Sequence, residues 1–200
     1  MKKTLKYLTH LGSLVPLVWL GYDFFTRNLS VNPIQELTLR TGKTALILLL
    51  LSLAITPVKT ITGWNAILPL RKLLGLYSAL YATVHFSIFV GLDYFFSWEL
   101  ISQAVAEKPF VMMGFAAFLI LTVLAVTSTA GWKRRLKKRW KPLHRAVYFA
   151  GIFVVVHFLW SVKSDIREPV LYAGVLTILL LLRLPPVRRA VVRLRSASGS

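Results

Sequence analysis

The sequence of 200 residues contains no cysteine. Disulfide bonds, thiolate-held metal clusters and covalent cofactor attachment through a C-x-x-C-H motif are therefore excluded. The G-x-G-x-x-G motif and the alternating strand and helix pattern of a dinucleotide-binding domain are also missing. Acidic residues are scarce, with 7 Asp and Glu against 25 Lys and Arg.

Long uncharged runs are what the sequence does contain. Apolar residues make up 56% of the chain, and Leu73–Gly91, Met112–Ala130 and Ala146–Trp160 contain no Asp, Glu, Lys or Arg. Such runs approach the roughly 20 residues that a helix needs to cross a bilayer. They predict an integral membrane protein.

The pattern predicts an all-α, six-transmembrane helix bundle in one domain. Only helices or closed barrels satisfy the backbone in lipid, and the sequence shows no period-2 alternation and no internal repeat. No cleavage site follows the first apolar segment, which we expect to be retained. The predicted spans cover about 8–25, 43–58, 73–96, 110–130, 143–162 and 169–184. The domain covers residues 1–195, and 196–200 (SASGS) read as a flexible tail.

The net charge of +18 is unevenly distributed between the two sides of this arrangement. Basic residues cluster before the first span, between the second and third, between the fourth and fifth, and after the sixth, whereas the other connections are nearly balanced. This alternation predicts that both termini are cytoplasmic. It argues against nucleic-acid binding and favours contact with anionic lipid headgroups.

Histidines interrupt two of the apolar spans. His85 lies in the third span and His157 in the fifth, and both spans run outward. Counting from the cytoplasmic charges places them roughly 20 and 24 Å from the inner boundary, at similar depth. Ionisable residues inside a membrane are functional-site candidates, and facing imidazoles can hold haem iron from both axial sides. The pair therefore predicts a non-covalent, b-type haem.

Two further histidines lie near the inner surface. His144 begins the fifth span, and His10 enters the first span from the same side, at a depth where it could partner His144 at a second haem. On an ideal helix His144 and His157 are about 140° apart, so a second haem requires a distortion of the helix or a different tilt.

The residues leave alternatives open. His85 and His157 could be neutral and hydrogen-bonded to neighbouring helices, His144 could be an interfacial residue, and His10 a structural one. Zinc is disfavoured because no carboxylate or thiolate lies at the depth of the pair. A transporter that uses histidines as proton relays is a further alternative, although repeated halves and broken helices are not evident.

Several longer motifs resemble a known family. RKLLGLYSALYATVHF, TSTAGWKRRLKKRWKPLHRAVYFAG and HFLWSVKSD, with SLAITPV and LGSLVPLVWL, resemble the MsrQ (YedZ) family in order and spacing. That family provides the haem-binding membrane subunit of the bacterial periplasmic methionine sulfoxide reductase system and belongs to the ferric reductase-like transmembrane group. The resemblance implies that His85, His144 and His157 are haem-associated.

The resemblance also implies a role and partners. The chain would relay electrons across the inner membrane to a periplasmic molybdopterin-containing methionine sulfoxide reductase, and the family is described as binding FMN as well. Because a dehydrogenase domain is missing, the donor would be a cytoplasmic flavin reductase or quinol. The chain would be an electron-transfer subunit without a substrate-converting site of its own. A ferric reductase-type cytochrome b is the alternative of the same chemistry.

Basic residues at the span ends complete the expected site. Lys163 is expected to meet the propionates of the outer haem, and Arg71 or Arg145 those of an inner one. The same residues would otherwise act as lipid anchors.

Overall fold

The computed structural model describes residues 2–162 and 164–197, and its regular structure over these ranges is helical, without strands. The all-α prediction is thus confirmed for this part of the chain. The ten helices are α1 Lys2–Phe25, α2 Pro33–Thr62, α3 Leu70–Ile88, α4 Trp98–Glu107, α5 Pro109–Val126, α6 Ala130–Leu136, α7 Trp140–His144, α8 Val147–Ser161, α9 Arg167–Leu181 and α10 Pro185–Ala197.

Helix starts follow local sequence signals. Pro33 and Pro109 stand in the first turn of α2 and α5, where a missing N–H has no helical acceptor to lose. The side chain of Asn32 caps α2 by accepting a hydrogen bond of 3.1 Å from the backbone N–H of Gln35. α2 therefore begins well before the predicted span boundary at residue 43.

Three helical stretches are long and apolar enough to cross a membrane: Pro33–Thr62, Asn65–Asp93 and Pro109–Val126. The number rises to five if Ala130–His144 with Val147–Ser161 and Arg167–Leu181 with Pro185–Arg195 each count as one bent span. α1 is not among them. Six spans with cytoplasmic termini therefore stay a prediction.

The predicted fifth span is broken near its start. α7 ends at His144, α8 begins at Val147, and the two stretches meet at a bend of 44°. Between them the backbone uses tighter hydrogen bonds, from Arg145 N–H to the Pro142 carbonyl and from Ala146 N–H to the Leu143 carbonyl, both 3.0 Å. This break is a helical distortion between His144 and His157, one of the two arrangements that a second haem would require.

The core forms around α2. α2 packs along α3, α5 packs along α8, and α3 also contacts α5. One buried cluster joins α2 to the four helices around it and consists of Leu46, Leu49, Leu50, Leu53, Ala79, Leu121, Ala150, Val155 and Leu176. Large apolar side chains such as Val18, Leu171 and Ile178 are exposed on the outside of the bundle, as a lipid-facing surface requires.

The ion pairs among the described residues lie in the connections that the charge pattern assigns to the outer side. They join Asp23 to Arg40, Glu36 to Arg40, Lys43 to Glu168 (2.7 Å) and Asp165 to Arg167 (2.8 Å). The hydrogen bonds from Arg167 hold the pKa of the Asp165 carboxyl below its usual value. The basic connections contain no Asp or Glu with which to form such pairs.

Candidate functional site: the histidine pair

The structure brings His85 of α3 and His157 of α8 together. Their ring centroids are 6.1 Å apart and their ring planes are nearly perpendicular, at 89°. A metal ion bound by two imidazoles has metal–nitrogen bonds of about 2 Å on each side. The distance between the two ring centroids matches the sum of two such bonds and the distance from each Nε2 atom to the centre of its own ring.

Both imidazoles are held by backbone carbonyls of neighbouring helices. His85 Nδ1 lies 2.9 Å from the Thr38 carbonyl oxygen of α2, and His157 Nδ1 lies 2.7 Å from the Phe110 carbonyl oxygen of α5. A carbonyl only accepts, so each Nδ1 carries the proton and donates it. Each neutral ring therefore keeps a lone pair on Nε2, which is the atom a metal would use.

Each ring also lies against a glycine. A Cβ atom added to Gly42 would be 3.0 Å from Nδ1 and Cε1 of His85. At Gly114 it would be 2.7 Å from Nδ1 and 2.8 Å from Cε1 of His157. At Gly114 the ring lies closer to the backbone than a side chain would allow without a shift, and at Gly42 a side chain would require the ring to move by a few tenths of an ångström.

Aromatic side chains lie next to the pair in the sequence and in the bundle. Phe110 contacts the His157 ring at 5.8 Å between centroids. Phe86, the residue after His85, stacks on Phe118 at 4.5 Å and so joins α3 to α5. An apolar surround of this kind lowers the local dielectric and strengthens electrostatic effects at the imidazoles.

His144 has a different environment. Its Nε2 lies 3.1 Å from the Thr127 hydroxyl, which already donates to the Val123 carbonyl, so His144 Nε2–H is the donor. Its ring stacks on Trp140 at 4.0 Å. The proton therefore sits on Nε2, opposite to the pair, and the side chain links α7 to the end of α5.

His10 contacts α3 through Tyr77. Its Nδ1 is 2.8 Å from the Tyr77 hydroxyl, its ring contacts Tyr77 edge-on, and the residue is exposed. Because α1 packs on α3 whereas His144 contacts α5 residues, the structure holds His10 and His144 with different partners.

The predicted propionate partners are spread over the bundle. Arg71 lies in the first turn of α3 with Nη1 3.5 Å from the Thr56 hydroxyl, and Arg145 is exposed in the break between α7 and α8. Lys163 lies outside the described residues. Over the described ranges, no three His, Asp or Glu side chains come together as a metal-binding group.

Sequence reasoning missed Gly42 and Gly114. A Cβ at Gly151 would meet Leu176 and Leu53, so this glycine serves helix packing. The sequence alone held no signal for Gly42 and Gly114, but the structure shows a repeated spacing: each carbonyl lies 47 residues before its histidine, and a glycine follows each carbonyl by four residues. The two halves of the site are related in this way although no repeat is visible in the side chains around them.

Comparison with known proteins points in one direction. A family model described as "Ferric reductase like transmembrane component" matches residues 41–156, which include His85 and His144. The chain is 45% identical over 181 residues to the "Protein-methionine-sulfoxide reductase heme-binding subunit MsrQ" of Xanthomonas axonopodis pv. citri, covering 88% of this chain and 83% of that protein. The protein of the same name from Rhodospirillum rubrum is 44% identical over 178 residues, covering 88% and 86%.

Proposed function

We propose a function for this chain, which belongs to the MsrQ family of heme-binding subunits of protein-methionine-sulfoxide reductase. It binds haem b between His85 and His157 and relays electrons across the membrane. Its partner would be a periplasmic molybdopterin-containing subunit that reduces methionine sulfoxide in oxidised proteins. The electrons would come from a cytoplasmic flavin reductase or from quinol.

One observation carries the assignment of the site. His85 and His157 face each other at 6.1 Å, and both are in the tautomer that leaves Nε2 free. Two histidine side chains that enter a helix bundle from facing helices are a ligand set that haem iron accepts. The residues present therefore fit the group that the family name implies.

The chain's own residues prepare this site for electron transfer. When bound, haem supplies a one-electron redox couple. The carbonyls of Thr38 and Phe110 hold the imidazoles in one tautomer and raise their basicity as ligands. Phe110 packs against the His157 ring, and an apolar neighbour of this kind reduces the solvent reorganisation that a change of charge demands.

The surroundings of the membrane site are also proposed. Six spans in the bacterial inner membrane are part of the proposal, and the uneven distribution of basic residues supports the placement of both termini in the cytoplasm. Lys163, Arg71 and Arg145 are proposed to meet haem propionates. A second haem at His144 and bound FMN are further proposals that rest on the family resemblance.

The test is an absorption spectrum of the purified protein before and after reduction with dithionite. We expect low-spin b-type bands in the wild type, loss of most haem in His85→Ala and His157→Ala, and retention in His10→Ala. Full haem content in His157→Ala would refute the pairing. Rapid electron delivery to ferric iron, with none to a methionine sulfoxide reductase, would favour the ferric reductase alternative.

A further inference from the structure

The two halves of the histidine pair are built in the same way. In each, a histidine donates from Nδ1 to a carbonyl 47 residues earlier, and the glycine four residues after that carbonyl lies under the ring. One half uses Thr38, Gly42 and His85, and the other uses Gly114 and His157 with the Phe110 carbonyl. Because the carbonyl belongs to a threonine in one half and to a phenylalanine in the other, the glycine accompanies the hydrogen bond and does not depend on the type of residue that bears the carbonyl.

Helix geometry explains why a glycine belongs at that position. The carbonyl of residue 38 points along α2 toward the N–H of residue 42, which is its ordinary helical donor. A carbonyl has two lone pairs and can accept a second hydrogen bond if a donor reaches it. The side chain at residue 42 would stand in the way of such a donor, and glycine has none.

Both glycines stand within helices, where glycine is less favourable than alanine because it loses more conformational freedom on folding. The imidazole rings of His85 and His157 would be the first groups to clash with a side chain at Gly42 and Gly114, respectively. By contrast, nothing lies within 4 Å of a Cβ added at Gly12, Gly21 or Gly174. Close approach of an imidazole is therefore specific to Gly42 and Gly114.

We propose that Gly42 and Gly114 are positioning residues that let His85 and His157 reach the carbonyls of Thr38 and Phe110, and that these contacts set the tautomer and the ring-plane angle of both haem ligands. The inference rests on the proposed function, because it takes the pair as the axial ligands. The three atoms nearest to a Cβ added at either glycine belong to the imidazole, so the glycines act through the rings.

The hydrogen bond at Nδ1 has a predictable effect on the ligand. It gives the imidazole partial anionic character, which favours the oxidised state of a bound metal and lowers its reduction potential. The carbonyls also fix the rotation of each ring about its Cβ–Cγ bond, and the two planes are held 89° apart. Loss of either contact should raise the potential and change this angle.

Alanine variants of the two glycines test the proposal. We expect Gly114→Ala to weaken haem retention about 10–100-fold, as loss of an outer-shell hydrogen bond does at metal sites. The midpoint potential should rise, and the low-spin EPR signal of the oxidised protein, which depends on the angle between the imidazole planes, should change. Gly42→Ala should show the same changes to a smaller extent, because its Cβ clash is milder.

Two other glycines supply matched controls. Gly174→Ala adds a methyl group to α9 with nothing within 4 Å, and it should leave all three measurements unchanged. Gly151→Ala lies in the same helix as His157 but crowds Leu176 at 3.1 Å. It should lower the thermal stability without altering the EPR signal or the potential.

The outcomes separate this inference from the proposed function. A wild-type protein without haem would overturn both. Wild-type protein with haem, together with unchanged EPR signals and potentials in the glycine variants, would overturn the positioning role alone. An equal spectral change in Gly151→Ala would also overturn it, since general packing would then suffice. If Gly114→Ala does not fold, the milder Gly42→Ala decides by the same measurements.

Discussion

The guanidinium of Arg183 donates a hydrogen bond to the carbonyl oxygen of Leu53, and Pro57 stands four residues after Leu53 in α2. Proline has no N–H, so this carbonyl lacks its helical donor. Arg183 reaches it from just beyond the end of α9 and also donates to the Tyr148 hydroxyl at 2.9 Å. In a membrane no water could replace the missing N–H of Pro57. The Arg183 contacts replace it and join α2, α8 and the end of α9 at this point.

Arg183→Met should therefore destabilise the protein by about 1–3 kcal/mol, the cost of leaving a buried acceptor unpaired. In a Pro57→Ala background the new N–H can donate to Leu53, and the same substitution should cost about 1 kcal/mol less. Thermal or denaturant unfolding of the four proteins in detergent measures the coupling. Tyr148→Phe serves as the control, with an equal cost in both backgrounds. A coupling of zero would show that Arg183 does not compensate for the proline.

Tyr81 attaches α1 to α3. Its side chain is 1% exposed, and its hydroxyl donates to the Ser13 carbonyl at 2.7 Å. We expect Tyr81→Phe to lower the free energy of unfolding by about 1 kcal/mol, because it removes one buried donor and little volume. The exposed Tyr22 offers the matched control, and Tyr22→Phe should have no effect. Equal melting temperatures for Tyr81→Phe and the wild type would contradict this role.

His144→Ala should keep the haem of the His85–His157 pair, because the His144 ring is bound to Thr127 and Trp140 and not to the pair. A pyridine haemochrome assay gives the haem content, and any fraction lost measures what a second site holds. The low-spin bands should persist. Their complete disappearance would mean that His144 is needed for the pair itself.

The chain without cysteine permits a direct test of its orientation. Asn28→Cys and Lys138→Cys place single thiols at exposed positions in connections predicted to lie on opposite sides. In intact spheroplasts a membrane-impermeant maleimide should label Asn28→Cys, and it should label Lys138→Cys only after permeabilisation. The reverse pattern would place the termini outside.

Sequence reasoning anticipated much of the site through depth. His85 and His157 occupy equal levels on two spans because each follows a basic inner boundary by a similar number of residues, and the structure brings these two rings together. The same counting offered His10 as a partner for His144. That pairing stays a prediction, because depth does not say which helices are neighbours, and α1 packs on α3.

The local signals had limits of the same kind. Pro109 marks the start of α5, as a proline in a first helical turn does, but the break between His144 and Val147 follows from tight backbone hydrogen bonds that no residue pattern predicts. Gly42 and Gly114 lie on other helices from the histidines they contact, and only packing reveals them.

The composition and the order of the charged residues determined that this chain is helical, apolar enough for a membrane and unevenly basic. Its histidine motifs determined the family. The tertiary structure alone decided which nitrogen of each imidazole bears the proton and at what angle the rings meet. The physical reason is that these properties depend on carbonyls of α2 and α5, which every residue possesses and no side-chain pattern can distinguish.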